Sequence, residues 1–277
     1  MKHLLTASLL LFAFAAFAQT RVMTYNIRNS RAADGVNKWN KRKYTLANLI
    51  LKVNPDVLGT QEVLPDQLKD LKKMMPAFSA YGVGRNNGKH SGEHSAIFYK
   101  TGKYELLDEG NFWLSETPNI PGSKSWDAAI TRICTWVKLK VKNTNNVLVV
   151  FNTHFDHRGK EARFKSAALL CRMIDSLGGT GPVIVTGDFN FRPDSPAYAE
   201  MVSRNHRLQL TDAYHPDAPD YTDCGFEVSN KNCSHIDYIF HNSRMASSNY
   251  TVHTDNNGTY YPSDHLPVSV ELNLILF

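Results

Sequence analysis

The amino-acid sequence predicts a layered α/β sandwich, and three observations support this fold class. Helical and extended patterns are mixed along the chain without strict alternation, which argues against a barrel or a doubly wound parallel sheet. Short polar segments follow several apolar runs, as expected where buried strands end in loops. No repeat, low-complexity stretch or Pro/Gly/Ser-rich linker divides the chain. We therefore expect one large domain over residues 19–277.

The beginning of the predicted domain contains strand, helix, strand and helix in that order. Residues 22–27 form an apolar run typical of a strand, and residues 44–53 carry apolar side chains at helical spacing. Pro55 ends this helix, and residues 56–60 form the next strand. A short helix is predicted over residues 67–75.

The middle of the chain is predicted to be rich in strands. Residues 79–150 are mostly extended, with loops at 86–92 and 115–127. An amphipathic helix follows over residues 161–177 and ends at Gly178-Gly179. Ser195-Pro196 then opens another helix, with a hydroxyl cap and proline in the first turn. Three strands complete the prediction, at residues 236–240, 250–254 and 268–274.

The N-terminal residues have the layout of an export signal. Lys2 is followed by an apolar run over residues 4–14, and Ala16 and Ala18 form an A-x-A cleavage site. A membrane anchor is the alternative, but the run is shorter than the ~20 residues that a spanning helix needs. We expect residues 1–18 to be a signal peptide. The mature protein is then exported, periplasmic or secreted, without a membrane span and, as a working expectation, monomeric.

The charge of the chain limits the classes of partner. Loss of Lys2 with the signal would lower the formal net charge from +5 to +4. This mildly basic balance favours an anionic substrate only weakly. No Lys/Arg-rich insertion provides the basic stripe that a duplex-DNA nuclease needs, so a small or exposed phosphate ester is preferred.

The four cysteines fall into two groups. Cys134 and Cys171 lie within apolar strand and helix patterns and are expected to be buried thiols. Cys224 and Cys233 flank a short polar loop in a chain predicted to be exported, which leaves either a disulfide or two free thiols. No C-x-x-C pair is present, so a structural zinc site is not expected.

Six short polar segments mark the predicted site because each follows or interrupts an apolar run. They are Tyr25-Asn26-Ile27, Gln61-Glu62, Asn152-Thr153-His154, Gly187-Asp188-Phe189-Asn190, His235-Ile236-Asp237 and Ser263-Asp264-His265. A rigid scaffold presents catalytic groups at such positions. Six segments from both halves of the chain therefore predict one assembled site.

The residue types in these segments suit hydrolysis of a phosphate ester, which needs a cation, activated water and donors to phosphoryl oxygens. Glu62 is the best single Mg²⁺ ligand, and Asn26 could supply a second oxygen. Asp188 and Asn190 lie on the same side if the backbone stays extended. Aspartate could align or deprotonate water there, while asparagine could donate to a phosphate oxygen. Each residue alone could equally be an ordinary loop residue.

Imidazoles next to carboxylates form the second half of the predicted site. Asp237 could orient His265 and favour its protonated form, which suits contact with a phosphoryl oxygen. Asp264 adds an acid beside that ring, and His154 lies where another strand meets a loop. The remaining histidines, such as His206, are expected to be surface or core residues.

The ordered set Asn26, Glu62, His154, Asp188/Asn190, Asp237 and Asp264-His265 resembles the endonuclease/exonuclease/phosphatase superfamily, which includes DNase I-like nucleases. The resemblance covers nearly the whole mature chain. It implies a four-layer sandwich of two packed mixed β-sheets flanked by helices, with the site at one edge. It also implies metal binding by Glu62 with Asn26, and Mg²⁺ as cofactor with Mn²⁺ as a possible substitute.

Further roles follow from the same resemblance. Asp188 and Asn190 would position the attacking water, and His265, oriented by Asp237, would contact the scissile phosphate. Asp264 would serve the metal or the hydrogen-bond network. His154 would be a second phosphate-side histidine, paired with Glu93. The superfamily's abasic-site endonucleases have a tyrosine near this position, so His154 argues against that group.

Three more residues are candidates for substrate contact. Arg132 matches an arginine that related sequences direct toward the phosphate, although it could instead form a salt bridge within a strand. Trp39 and Trp126 lie in segments that resemble loops of a bacterial, deadenylase-like branch of the superfamily. They could stack on a substrate ring or simply fill local packing.

These observations predict an exported Mg²⁺-dependent hydrolase of phosphate esters, with a phosphodiester as the preferred substrate. Two alternatives remain open. One is a secreted DNase I-like endonuclease. The other is a catalytically inactive relative that binds a phosphorylated ligand, which the complete set of acids, amides and imidazoles disfavours.

Overall fold

The computed structural model describes residues 19–275, and the predicted signal peptide at residues 1–18 lies outside this range. The strands are β1 (Thr20–Asn26), β2 (Val57–Val63), β3 (Phe78–Tyr81), β4 (His94–Lys100), β5 (Tyr104–Trp113), β6 (Ile133–Val141), β7 (Val147–His154), β8 (Val183–Asp188), β9 (Leu210–Asp212), β10 (Asp237–Asn242), β11 (Met245–Val252) and β12 (Val268–Leu274). The helices are α1 (Trp39–Val53), α2 (Pro65–Met74), α3 (Lys160–Leu177) and α4 (Pro196–Met201).

The strands form two six-stranded mixed sheets. Sheet one has the order β11-β12-β1-β2-β4-β3, and sheet two has the order β5-β6-β7-β8-β10-β9. One parallel pair lies inside each sheet, β1 with β2 and β7 with β8. These four strands are covered on both faces, and nearly all of their residues are buried.

Three cores separate four layers. The inner core lies between the sheets and includes Val57 of sheet one and Ile184 of sheet two. A second core packs α1 on the outer face of sheet one, and a third packs α3 on the outer face of sheet two. The predicted sandwich of two mixed sheets flanked by helices is therefore confirmed.

A buried polar contact joins the two sheets just below the edge where β1, β2, β7 and β8 end. The Asn152 side chain on β7 donates to the carbonyl oxygens of Thr60 and Ala96 and accepts hydrogen bonds from Gln61 and Thr186. Gly59 faces this amide so closely that a Cβ there would lie 2.6 Å from Asn152 Oδ1. The sheets approach within contact distance at this point because residue 59 has no side chain.

The predicted elements are present, with three differences. Helix α1 begins at Trp39, five residues before the predicted start, and the short edge strand β9 was missed. Strand β11 begins at Met245 rather than residue 250. Met245 is buried, but residues 246–249 are small or polar and exposed at the edge of sheet one, so the sequence has no apolar pattern there.

The four cysteines form one disulfide and leave two free thiols. Cys224 and Cys233 form a disulfide, and Cys134 and Cys171 are buried free thiols. Over residues 19–275, no helix has the length and apolar character needed to cross a membrane.

Candidate active site

The predicted site residues meet at one edge of the sandwich because the ends of four inner strands coincide there. Asn26 pairs in register with Gln61 across β1 and β2, and His154 pairs with Asp188 across β7 and β8. Asp188 also pairs with Asp237, the first residue of β10. Strand pairing alone thus brings residues that are far apart in sequence to the same edge.

Asn26 connects the acidic residues of the two sheets. Its amide nitrogen donates to Glu62 Oε1 at 3.1 Å and to Asp188 Oδ2 at 2.8 Å. Its amide oxygen accepts a hydrogen bond from the backbone N–H of Arg28 at 3.0 Å. The structure therefore differs from the prediction that the oxygen of Asn26 faces the ion, because the amide nitrogen lies between the two carboxylates.

Glu62 has an unusual backbone conformation. Its φ is +62°, and the pairing of β2 with β4 shifts register between Thr60 and Val63. This bulge turns the Glu62 carboxylate toward the sheet edge, where Asn29 donates to Oε2 from both its backbone and its side chain. Burial opposes ionisation, but these hydrogen bonds and the nearby His265 hold the pKa of Glu62 below its usual value. The side chain is a carboxylate at neutral pH.

His265 and Asp237 form a buried pair, as predicted. His265 Nδ1 donates to Asp237 Oδ2 at 2.9 Å. Although burial disfavours the charged ring, Asp237 and then Asp188 raise the pKa of His265 well above its usual value. Burial, and then the charge of Asp237, raise the pKa of Asp188. The imidazolium therefore attracts both carboxylates, and all three side chains are largely buried.

Thr222 holds the acid of this pair and was missed by the sequence analysis. Its hydroxyl donates to Asp237 Oδ2 at 2.6 Å and accepts hydrogen bonds from the backbone N–H groups of Ile236 and Asp237. Leu266 N–H also donates to the carbonyl oxygen of Thr222. Thr222 therefore fixes the carboxylate of Asp237 and the segment that carries His265.

His154 lies beside Asp188 rather than Glu93. Its Nε2 is 3.3 Å from Asp188 Oδ2, and its buried Nδ1 has no hydrogen-bond partner. Burial, followed by the charges of Arg132 and Arg85, lowers the pKa of His154 well below its usual value. Glu93 instead forms an ion pair with Arg85. The predicted pairing of His154 with Glu93 is wrong because the arginine occupies that carboxylate.

Arg132 is a buried cation with incomplete pairing. It is 5% exposed, and its Nη2 donates to His157 Nδ1 at 3.3 Å. Asp156 Oδ2 is 3.9 Å from Nε, and neither Nε nor Nη1 has a hydrogen-bond partner. Unsatisfied buried donors are uncommon and suit an anionic ligand. Arg85 lines the same small pocket as Arg132 and His154. The sequence analysis missed it because one arginine in a predicted loop is common.

Asn190 and Asp264 differ in detail from expectation. The backbone at Asn190 has φ +51° and is not extended; its N–H donates to Asp188 Oδ1 and its side chain donates to the carbonyl oxygen of Phe155. Asp264 Oδ2 lies 3.4 Å from Nε of Arg28, and Oδ1 accepts a hydrogen bond from Ser263. Asp264 thus belongs to the hydrogen-bond network beside the site.

The two tryptophans differ in burial, and neither lines the cleft at the candidate site. Trp39 is the first residue of α1, is 5% exposed, and donates its indole N–H to Asp70 at 2.9 Å. Trp126 is half-buried and packs against the core beneath α3. Trp39 therefore fills local packing, which corrects the prediction of substrate contact for that residue, and the role of Trp126 stays a prediction.

An open cleft of about 270 Å³ gives access to this site. Its lining includes Glu62, Glu93, Arg132, His154, Asp188, Asn190 and His265. Acids, arginine and imidazoles therefore line the same cleft, with Asp188 in contact with His154.

The donor set fits a hard divalent cation. Glu62 and Asp188 line the cleft, and both lie within hydrogen-bond reach of the Asn26 amide. Carboxylate and amide oxygens are the ligands that Mg²⁺ prefers. Asp188, Asp237 and His265 also offer ligand atoms within 4.8 Å of one another. Asp237 Oδ2 is already shared by His265 and Thr222, so Glu62 with Asp188 is the better set.

The fold and the site are those of a family whose members act on phosphate esters. The chain belongs to the endonuclease/exonuclease/phosphatase family, whose sequence model matches residues 23–265.

Two solved structures from Bacteroides thetaiotaomicron are similar over most of their length. An endonuclease/exonuclease/phosphatase family protein is 38% identical with a TM-score of 0.87, and the superposition covers 94% of this chain and 99% of that protein. A mannosyl-6-phosphatase is 39% identical with a TM-score of 0.85, and the superposition covers 93% of this chain and 100% of that protein. Nocturnin from Drosophila melanogaster is 25% identical over 86% of this chain, which spans only 42% of that relative.

Proposed function

We propose that the protein is an exported, Mg²⁺-dependent hydrolase of a small phosphate ester that acts by in-line attack of water. One observation carries the proposal. Glu62, Asp188 and His265 lie 3.1, 2.8 and 3.5 Å from the same amide nitrogen of Asn26. Acids for a cation and an imidazole for a phosphoryl oxygen are therefore within reach of one small group.

The acids would hold the ion and prepare the water. Glu62 and Asp188, supported by Asn26, are the residues that would hold Mg²⁺, which when bound neutralises charge on a phosphoryl oxygen. Asp188 also has a raised pKa, which suits a carboxylate that accepts a proton from water. Asn190 adjoins it and would help position that water.

The arginine and the histidines of the cleft would bind the phosphoryl group. His265, kept protonated by Asp237, would donate from Nε2 to a phosphoryl oxygen. Arg132 has two unpartnered N–H groups that suit the remaining oxygens. Burial and the charges of Arg132 and Arg85 lower the pKa of His154, so this ring would contact the phosphoryl group as a neutral donor or acceptor.

The substrate is expected to be small. The cleft is about 270 Å³, and the chain carries no basic stripe for duplex DNA. A phosphodiester remains the prediction from the sequence. A sugar phosphate monoester is the second candidate, which the similarity to a mannosyl-6-phosphatase supports.

An activity screen tests the catalytic part of the proposal. Bis-p-nitrophenyl phosphate, p-nitrophenyl phosphate, mannose 6-phosphate and plasmid DNA would be assayed with Mg²⁺, Mn²⁺ or chelator. We expect chelator-sensitive turnover that Glu62→Gln abolishes and that Glu105→Gln, at an exposed site on β5, leaves unchanged. Cleaved plasmid with intact small esters would favour the nuclease. Ligand binding without any turnover would favour the inactive relative.

Export is tested separately. The signal layout and the disulfide between Cys224 and Cys233 support an oxidising compartment. We expect protein recovered from outside the cytoplasm to begin at Gln19, as read by N-terminal sequencing. Full-length protein retained in the cytoplasm would contradict this part of the proposal.

A further inference from the structure

A second cavity lies beside the catalytic cleft. It has a volume of about 720 Å³ and lies between the first turn of α3 and the loop that joins β8 to α4. Asn190 lines both this cavity and the catalytic cleft. A molecule with its phosphate in the cleft could therefore extend past Asn190 into the cavity.

The wall of this cavity is mainly apolar. Phe164 on α3 and Phe191, Pro196 and Ala197 on the opposite side contribute the hydrocarbon surface. Phe164 is 39% exposed, which places it among the few large apolar side chains of residues 19–275 that face solvent. An exposed phenyl ring that lines a concave apolar wall is typical of a ligand site rather than of ordinary surface.

The two sides of the cavity are held in place by hydrogen bonds. Asp127 accepts from the backbone N–H groups of Glu161 and Ala162 in the first turn of α3, and Arg163 donates to the carbonyl oxygen of Asp156. Ser195 caps α4 by accepting from the N–H of Tyr198. The cavity is thus preformed, and a ligand would not need to order its wall.

We propose that this cavity binds the organic group of the phosphate ester, and that this group is an apolar aryl or alkyl group. The inference rests on the proposed function, since it assigns the part of the substrate that carries no phosphate. Charged side chains such as Lys160, Arg163 and Asp194 also line the cavity, but most of its exposed wall is hydrocarbon. An aryl or alkyl group would bury that apolar area, whereas a sugar would leave most of it without a complementary partner. Phe164 is the specificity-determining residue, and Asn190 marks the junction with the phosphoryl site.

A matched pair of inert ligands tests the cavity without relying on turnover. 1-Naphthylphosphonate and methylphosphonate have the same phosphoryl head and a carbon–phosphorus bond that hydrolysis does not break. In titration calorimetry with Mg²⁺, we expect wild type to bind the naphthyl ligand at least tenfold more tightly. Phe164→Ala should remove most of this preference, and Phe164→Leu should retain much of it because an apolar side chain remains.

Steady-state kinetics give the second readout. Phe164→Ala should raise KM for 1-naphthyl phosphate about tenfold, equivalent to about 1.4 kcal/mol, and leave KM for methyl phosphate unchanged. Tyr44→Ala is the matched control, because Tyr44 is 64% exposed on α1 and does not line the cavity. It should change neither value.

The outcomes separate this inference from the proposed function. If naphthyl binding depends on Phe164 but no ester is hydrolysed, the cavity assignment stands and the proposed function fails. If esters are hydrolysed but wild type binds both phosphonates equally, or neither detectably, the cavity assignment is wrong. A Phe164-dependent KM for mannose 6-phosphate, without one for 1-naphthyl phosphate, would also overturn it.

Discussion

The amide nitrogen of Asn26 lies 2.8 Å from Oδ2 of Asp188, although Asn26 ends β1 in sheet one and Asp188 ends β8 in sheet two. The candidate site is therefore shared between the sheets. Neither sheet carries a complete set of acids and imidazoles, so the site forms only when the two sheets pack together.

Replacing Asn26 with aspartate should make stability depend on a divalent cation. Asn26→Asp adds a negative charge next to Glu62 and Asp188, and like charges at this distance repel. We expect the variant to have a lower Tm than wild type in chelator. Mg²⁺ should raise the Tm of the variant by more than it raises that of wild type, because a bound ligand stabilises the folded state. Scanning calorimetry with and without Mg²⁺ measures the difference. Equal Mg²⁺ shifts in both proteins would argue against a cation near residue 26.

Replacing Arg132 should separate activity from stability. Arg132→Met removes a buried guanidinium whose Nε and Nη1 have no partner, while keeping a side chain of similar length. Asp156 keeps its backbone hydrogen bonds from Ile130, Arg158 and Gly159 without Arg132, so the change mainly removes the desolvation cost of an incompletely paired cation. We therefore expect an unchanged or higher free energy of unfolding in urea, with kcat/KM lowered at least tenfold. A large loss of stability would indicate that Arg132 is mainly a structural residue.

Removing the disulfide should reduce both stability and turnover. Cys224→Ser with Cys233→Ser opens a short loop, and loops of this size are worth about 2–3 kcal/mol. Cys224 N–H donates to the carbonyl oxygen of Asp264, so the loop is tied to the segment that carries His265. We expect kcat to fall severalfold in the variant and in wild type treated with reductant. Reductant should not affect the variant further, and unaltered kcat in both cases would refute the link.

The free energy of unfolding should fall as pH rises from 4 to 6, in part because of Asp212. Burial raises the pKa of Asp212 to about 6, and its Oδ2 accepts a hydrogen bond from the Tyr198 hydroxyl. The folded state then holds this proton more tightly than the unfolded state. Its stabilising contribution is full below the unfolded pKa of about 3.9 and is lost as pH rises through 6, a change of about 3 kcal/mol.

The variant Asp212→Asn tests this dependence. Its free energy of unfolding in urea should vary less than that of wild type between pH 4.5 and pH 8. Asp217→Asn is the control, since that carboxylate is fully exposed on a loop. Parallel pH profiles for wild type and Asp212→Asn would contradict the prediction.

The sequence predicted the strand ends well because apolar runs and polar residues mark them locally. The pairing of Asp237 with His265 was predicted for the same reason, and the structure confirms it. The roles of the individual site residues stay predictions until the variants are assayed.

What the sequence missed depends on contacts between distant residues. Thr222 acts on Asp237 across 15 positions, and Arg85 meets Glu93 only because a loop folds back. The burial of Trp39 depends on Asp70, which lies 31 residues away on α2. No pattern within a few residues encodes these arrangements.

The close approach of Gly59 to Asn152 has a consequence for how the protein would lose activity. A widening of one bond length between the sheets would leave most of the apolar interior intact, yet it would pull the carboxylates and imidazoles out of reach of a common ligand. Mild heating, or replacement of Gly59 by a larger residue, should accordingly abolish the proposed activity while most of the secondary structure persists. Inactivation would then be an earlier and more sensitive sign of damage than unfolding.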